Sequence, residues 1–286
     1  MYTALSTGAI RIRASLAESI DLAREHGFGG VAFSIEEAAD LADRQGIEAV
    51  RDLFGRQSVR PAVWSLSNFW REDDGRFQDG LAALPRLAQV AREVACLRVT
   101  TWMPSWSDER QFAENFKWHT ARFRAVAEIL KVHGQSLGIE YLGPKTLIEG
   151  KRYPFIHTQE GLFELIRAIG TGNVGILLDS WHWYTSHGTL ADLERLSNSD
   201  VVLVHVNDAP SGIAIDDQID NVRCLPMETG VIDLPGFLRA LTRIGYDGPV
   251  VVEPFSQRLA NLTPHEACAL TAESLRTAWQ AAKLAS

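Results

Sequence analysis

The sequence predicts an α/β protein of the (β/α)8 barrel class, and three observations predict it. Short β-branched runs alternate with longer segments of helical period along the chain, the pattern of parallel strands joined by crossover helices. Gly, Pro or Asn punctuates the joints. The alternation gives eight strand and helix pairs in 286 residues, close to the usual size of such a barrel. No linker, low-complexity tract or charge block interrupts it, so residues 1–286 are read as a single domain.

Two segments compete for the first strand, Met1-Tyr-Thr-Ala-Leu5 and Ala9-Ile-Arg-Ile12. A helix over 16–26 follows, with Leu16, Ile20 and Ala23 on one stripe and His26-Gly27 supplying its end. Gly30-Val-Ala-Phe-Ser34, Pro61-Ala-Val-Trp-Ser-Leu66 and Leu97-Arg-Val-Thr-Thr101 read as the next three strands. Helices over 35–53, 81–94 and 109–133 fill the gaps. The second half offers Leu137-Gly-Ile-Glu140, Val174-Gly-Ile-Leu-Leu-Asp179, Val201-Val-Leu-Val-His205 and Pro249-Val-Val-Val-Glu253 as strands five to eight. Helices over 158–169, 189–196 and 234–244 separate them, and one over 264–284 closes the ring.

Each of these last four strands ends on a residue that can bind a metal. Side chains at the C-terminal ends of barrel strands face the catalytic mouth, so Glu140, Asp179, His205 and Glu253 are expected to meet around one divalent cation. Three carboxylates and one neutral imidazole suit Mn²⁺ first, with Mg²⁺, Co²⁺ or Zn²⁺ as alternatives, and leave positions open for two vicinal substrate oxygens. Singly, a carboxylate at a strand end is often a loop cap or a salt-bridge partner. Four metal-type residues at the same end of four consecutive strands, each after an apolar run without a local charge partner, favour the joint site. Such an ion polarises a carbonyl, makes the proton on the neighbouring carbon removable and stabilises the enediolate that forms. A carboxylate must then carry the proton.

Other residues near the same strand ends carry two readings each. His182 either packs against Trp181 and Trp183, or contacts substrate or the metal. Asp208 either anchors its loop or joins the metal periphery. Glu228 lies in a Gly-containing loop, and Asp233 is placed to cap the following helix. Trp64, Phe69, Trp70, Trp102, Trp106, Trp181 and Trp183 all end or follow strands; some pack the rim, and others suit stacking against pyranose faces or a flat aglycone.

Composition narrows the partners. A formal charge of −8 disfavours wrapping nucleic acid, and a small-molecule substrate is expected. Three widely separated cysteines suggest neither a disulfide framework nor a thiolate zinc site. With no signal-peptide pattern and no apolar run long enough for a bilayer, the chain is expected to be cytoplasmic, with no membrane partner.

The ordered series Glu140, Asp179-x-x-His182, His205-x-x-Asp208, Glu228-x-Gly230-x-x-Asp233, Gly245-Tyr-Asp-Gly248 and Val252-Glu253-Pro254 resembles the xylose isomerase-like TIM barrel superfamily, specifically its sugar phosphate isomerase/epimerase group. The resemblance covers nearly the whole chain. It implies a divalent metal held by Glu140, Asp179, His205 and Glu253, with Glu140 and Glu253 as the acid/base pair on opposite faces of the substrate carbon and His182 on a substrate hydroxyl. Ketose 3-epimerases of this group carry a further acid just past the first glutamate and an arginine shortly after the histidine ligand. Here those regions read Glu140-Tyr-Leu-Gly-Pro-Lys145-Thr146 and Asn207-Asp-Ala-Pro-Ser211. Lys145, Arg223, Trp102 and Glu228 are the substitute candidates for gripping substrate, Lys145 with a solvent-facing loop role as the plain alternative.

The leading expectation is a metal-dependent isomerase or epimerase acting on a ketose, keto-inositol or related polyol. The first alternative is a lyase that dehydrates a keto-inositol or cleaves a 3-keto-C-glycoside with the same metal and base. A phosphodiesterase of the endonuclease IV type shares the barrel, and His119, His157, His182 and His187 are available for its histidine-rich zinc cluster, but the acidic charge opposes it. A non-catalytic sugar-binding barrel would leave the metal site unexplained. Barrels of this kind often form homo-oligomers, and the sequence shows no interface.

Overall fold

The computed structural model describes residues 1–284. Eight parallel strands close into a barrel: β1 (Tyr2–Leu5), β2 (Gly30–Phe33), β3 (Arg60–Ser65), β4 (Arg98–Trp102), β5 (Ser136–Glu140), β6 (Val174–Asp179), β7 (Val201–Val206) and β8 (Pro249–Val252). Sequence neighbours are ring neighbours, and β8 closes onto β1 through the pairs Tyr2–Pro249, Thr3–Val250 and Ala4–Val251. The first strand is therefore the earlier of the two candidates. Residues 9–12 instead turn back, with Arg11 at φ 63° and the Ile12 amide donating to the Thr7 carbonyl at 2.8 Å.

Helices cover the outside, and local chemistry sets their ends. Ser15 and Thr263 form reciprocal capping boxes with Glu18 and Glu266, fixing the starts of Leu16–Glu25 and Pro264–Ala282. The stretch expected as one helix over 35–53 is two, Ile35–Gln45 and Ile47–Gln57. Gly46 at φ 85° ends the first and opens the second, a conformation that glycine adopts without the Cβ penalty. The next helix begins earlier than its apolar stripe suggests, running Asp74–Glu93 from an Asp73 cap and carrying Pro85 inside. Two further residues pairs, Trp106–Ser107 and Tyr153–Pro154, form a small antiparallel ribbon from the loops after β4 and β5.

The apolar side chains divide into two layers. Ala4, Ala62, Val63, Leu177, Leu203 and Val251 fill the barrel interior, while a much larger cluster packs between strands and helices. The small inner side chains follow from the limited bore of an eight-stranded barrel. Gly138 is part of the same constraint, since a Cβ there would lie 2.8 Å from the Val202 Cβ. Among the described residues no helix is long and apolar enough to cross a membrane.

Candidate metal centre

The four strand-end residues converge at the C-terminal mouth. Glu140 and Asp179 are the last residues of β5 and β6, His205 is the penultimate residue of β7, and Glu253 follows β8 directly. The ladder holds them level: Asp179 pairs with His205, His205 with Val251, and the Glu253 amide still donates to the Val206 carbonyl at 3.2 Å. One ligand atom from each of the four lies within 4.8 Å of the others. His205 Nδ1 is 3.3 Å from Glu253 Oε2, 3.7 Å from Glu140 Oε1 and 3.8 Å from Asp179 Oδ2.

The donor set fits a divalent cation on two grounds. His205 Nδ1 and Glu140 Oε1 are buried, face the centre and have no hydrogen-bond partner, a costly arrangement for polar atoms unless a cation completes it. The remaining atoms are held from behind: Asp179 Oδ1 accepts from the Trp181 amide at 2.6 Å and from Asn207 Nδ2 at 3.0 Å, leaving Oδ2 to face inward. Asn207 also donates to the Glu253 carbonyl at 3.3 Å and accepts from the Ser180 hydroxyl at 2.9 Å. It thus ties the ends of β6, β7 and β8 together, the outer-shell support that orients metal ligands.

Protonation of the centre reflects crowding. Burial, with Glu253 and Asp179 nearby, pushes the Glu140 carboxyl up to about 8, against the pull of His205. Burial works against a charged His205, but Glu253 and Glu140 outweigh it and raise its pKa well above 6.5. Asp179 goes the other way: burial would raise it, yet Arg223, His182 and His205 hold it below the ordinary carboxylate range.

Arg223 is the sequence candidate whose position the strand pattern could not give. It lies in the loop after β7, but Asp208 and Cys224 close that loop at its base through paired backbone hydrogen bonds of 2.9 and 2.8 Å, which returns the chain to the mouth. Arg223 is only 4% exposed. Its Nη1 donates to Asp179 Oδ2 at 2.8 Å and to Glu253 Oε2 at 3.1 Å, its Nη2 to Asp220 Oδ1 at 2.9 Å. Phe255 covers one side, 4.7 Å from the guanidinium carbon to the ring centre. The sequence lacks an arginine just after the histidine ligand, and the loop brings this one to the site.

His182 also reaches the cluster. Its Nδ1 accepts from the Gly143 amide at 3.1 Å, and its Nε2 lies 3.3 Å from Arg223 Nη2 and 3.9 Å from both Glu140 Oε1 and Asp220 Oδ1. Burial depresses its pKa, which favours the neutral ring. The close fit requires Gly143, where a Cβ would stand 2.3 Å from the His182 carbonyl oxygen.

Over this cluster lies a cavity of about 350 Å³, lined by Trp102, Glu140, His205, Glu253, Phe255 and polar residues including Ser65 and Asn68. Trp102 ends β4, is partly exposed and carries Arg71 over its ring at 4.7 Å. Glu228, Lys145, His182 and Arg223 are not among the cavity-lining residues, the last two lying behind the carboxylates that are. Glu228 accepts from the Leu225 amide at 2.9 Å and meets Arg258 at 3.4 Å; Lys145 pairs with Asp216 at 3.2 Å on the outside of the loop. Asp208 is a loop anchor, accepting from the amides of Ala209, Thr229, Gly230 and Ile232. Asp233 caps the helix Leu234–Arg243. Trp64, Trp70, Trp181 and Trp183 are buried, so most of the indole density packs the rim. His119 is buried among aromatic rings, His157 bonds the Phe155 carbonyl and His187 pairs with exposed Asp216; none of the three joins the ligand cluster. Phe255 and Asn207 are the residues that reasoning from strand ends missed, although Asn207 sits within the His205-x-x-Asp208 motif.

This is a (β/α)8 barrel whose mouth carries four side chains that could hold a divalent metal ion. The model of the xylose isomerase-like TIM barrel family matches residues 20–278, and the chain belongs to that family. It is 21% identical to an inosose isomerase of Bacillus velezensis over 258 residues, 88% of each chain. A solved xylose isomerase domain protein from Alicyclobacillus acidocaldarius shares 32% identity and a TM-score of 0.87 over 99% of each chain. A 3-dehydroshikimate dehydratase of Pseudomonas aeruginosa is 31% identical over 135 residues, 46% of this chain and 20% of the dehydratase. The protein is an enzyme.

Proposed function

We propose that the protein is a divalent-metal-dependent isomerase or epimerase that moves a proton on the carbon next to a carbonyl of a ketose, keto-inositol or related polyol. The observation that carries this reading is the pairing of Glu140 and Glu253 on one imidazole, with ligand atoms within 4.8 Å beneath a cavity of about 350 Å³, at the lower end of the range for small-molecule sites. The inosose isomerase relative, matched over 88% of this chain, supports the substrate class.

A bound divalent ion, with Mn²⁺ favoured by the oxygen-rich set and Mg²⁺, Co²⁺ or Zn²⁺ as alternatives, supplies Lewis-acid polarisation of the substrate carbonyl. The chain supplies the rest. Glu253 and Glu140 are the proton carriers, one removing the proton and the other returning it. His182, held by the Gly143 amide on Nδ1 and 3.3 Å from Arg223 Nη2 on Nε2, is the candidate contact for a substrate hydroxyl. Arg223 bridges Asp179 and Glu253, holds the Asp179 carboxyl below the ordinary carboxylate range, and offers positive charge near the developing oxyanion. Trp102 and Phe255 wall the cavity and keep water from the reacting carbon.

The local likeness to a dehydratase supports a second reading, in which the same base removes the proton and a β-substituent leaves. Incubation of metal-loaded and EDTA-stripped protein in D₂O with ketoses, keto-inositols and 3-keto-glucosides separates them by mass spectrometry. Metal-dependent deuterium in an isomeric product supports the isomerase; metal-dependent loss of water or aglycone makes it a lyase. Turnover that survives both metal removal and Glu253→Gln would sink both.

A further inference from the structure

A second group of metal-type side chains lies outside the mouth, where the ring of helices closes. Glu25 is the last residue of the helix Leu16–Glu25, His26 follows it, and His265 stands in the first turn of Pro264–Ala282. Across this seam His26 Nε2 is 3.4 Å from His265 Nδ1, and His265 Nδ1 is 3.4 Å from Glu25 Oε2. One ligand atom from each of the three lies within 4.8 Å of the other two. We propose that Glu25, His26 and His265 form a second, surface site for a divalent transition-metal ion, with Zn²⁺ as the best fit, that ties the first helix of the barrel to the last.

The distances carry the choice of ion. Zinc bonds of roughly 2.0–2.2 Å to nitrogen and oxygen put adjacent ligands of a tetrahedron about 3.3–3.5 Å apart, which is the spacing of both measured edges. Two imidazoles and one carboxylate suit zinc over Mg²⁺ or Ca²⁺, which take oxygen ligands. The fourth position opens to solvent, since Glu25 and His265 are exposed. The ligands are also held without the metal. The capping box of Thr263 and Glu266 fixes the helix start that carries His265, and the His26 amide bonds the Leu22 carbonyl at 3.1 Å. Arg24 approaches only the other carboxylate oxygen of Glu25, at 3.8 Å, leaving Oε2 free to turn to a cation. Because β1 and β8 are the strands that close the barrel, a metal here would bridge the two ends of the chain at their meeting point.

The test is equilibrium dialysis of the EDTA-stripped full chain against Zn²⁺, with melting followed in parallel. The wild type should bind two ions, and His265→Ala one, with turnover unchanged when the central site is loaded. His205→Ala, which weakens the central site, should still bind one ion and melt higher with zinc, and adding His265→Ala should remove both effects. Glu25→Gln should weaken this second site severalfold without abolishing it. An unchanged zinc count in His265→Ala, or a His205→Ala protein whose melting ignores zinc, would overturn the proposal. All of the altered surface residues are solvent-facing or partly so, so their variants remain folded for the comparison.

Discussion

Replacing Arg223 by alanine tests the electrostatics of the centre most directly. The guanidinium is nearly fully buried and contacts three carboxylates, those of Asp179, Glu253 and Asp220. Removing one partner of a buried ion pair typically costs about 3–5 kcal/mol, because the remaining charge keeps its desolvation penalty. At about 2–4 °C per kcal/mol for a chain of this size class, metal-free Arg223→Ala should melt roughly 6–20 °C below the metal-free wild type. A bound dication compensates the same Asp179 and Glu253 oxygens, so saturating metal should recover much of the deficit. The metal-induced rise in melting temperature should therefore be larger in the variant than in the wild type. Arg223→Lys should recover only part of the loss, since one ammonium cannot span three carboxylates as the planar fork does. Scanning calorimetry or fluorescence melting of stripped and loaded protein reads all of this. A metal-free Arg223→Ala that melts with the wild type, or gains no more from metal than the wild type does, would refute the reasoning.

The raised pKa values of Glu140, about 8 instead of 4.5, and of His205, above 6.5, mean that the metal-free native state holds more protons than the unfolded chain across that interval. Its stability should fall as pH rises from about 5 to above 8, and metal should flatten the slope; a stripped protein that gains stability over that range contradicts the assignment. Metal binding at pH 7 must likewise expel protons, so binding enthalpies measured in buffers of different ionisation enthalpy should diverge. Glu253→Gln should lower kcat by about 10²–10⁴-fold, the usual worth of a general acid or base, while the circular dichroism spectrum stays that of the wild type. His182→Ala should raise KM or lower kcat more than it weakens metal binding, and equal losses in both titrations would make it a ligand.

The convergence of the four strand-end residues was legible in the sequence because two strong regularities coincide there: an apolar β-run marks a parallel strand, and a barrel points all its strand ends to one mouth. Nothing about Glu140, Asp179, His205 or Glu253 depends on a long-range contact that sequence conceals. Arg223 is the contrary case. Its residue type was informative, but its place depends on the Asp208–Cys224 bridge, which closes a loop whose length alone would allow many positions. Glu228 and Lys145 show the same blindness in reverse, since a charge in a loop reads alike whether it faces substrate or locks the loop to Arg258 or Asp216. The indoles were overcounted for a related reason. Strand ends place side chains near the mouth, but whether a ring points into the cavity, as Trp102 does, or under the rim, as Trp181 does, depends on the loop that covers it.

Charge balance links the metal, the protons and Arg223 into one design. Asp179, Asp220, Glu253 and Glu140 can bring four negative charges to the centre, and Arg223 brings one positive charge. A dication then leaves the metal-loaded centre one charge short of neutral. Without the dication, the raised pKa values of Glu140 and His205 favour protons at the centre, which would offset the same negative charge. A buried centre cannot tolerate a large uncompensated charge, so a dication that binds here should displace protons. The unpartnered Glu140 Oε1 and His205 Nδ1 face the place a dication would take, and proton release measured on metal binding tests that exchange.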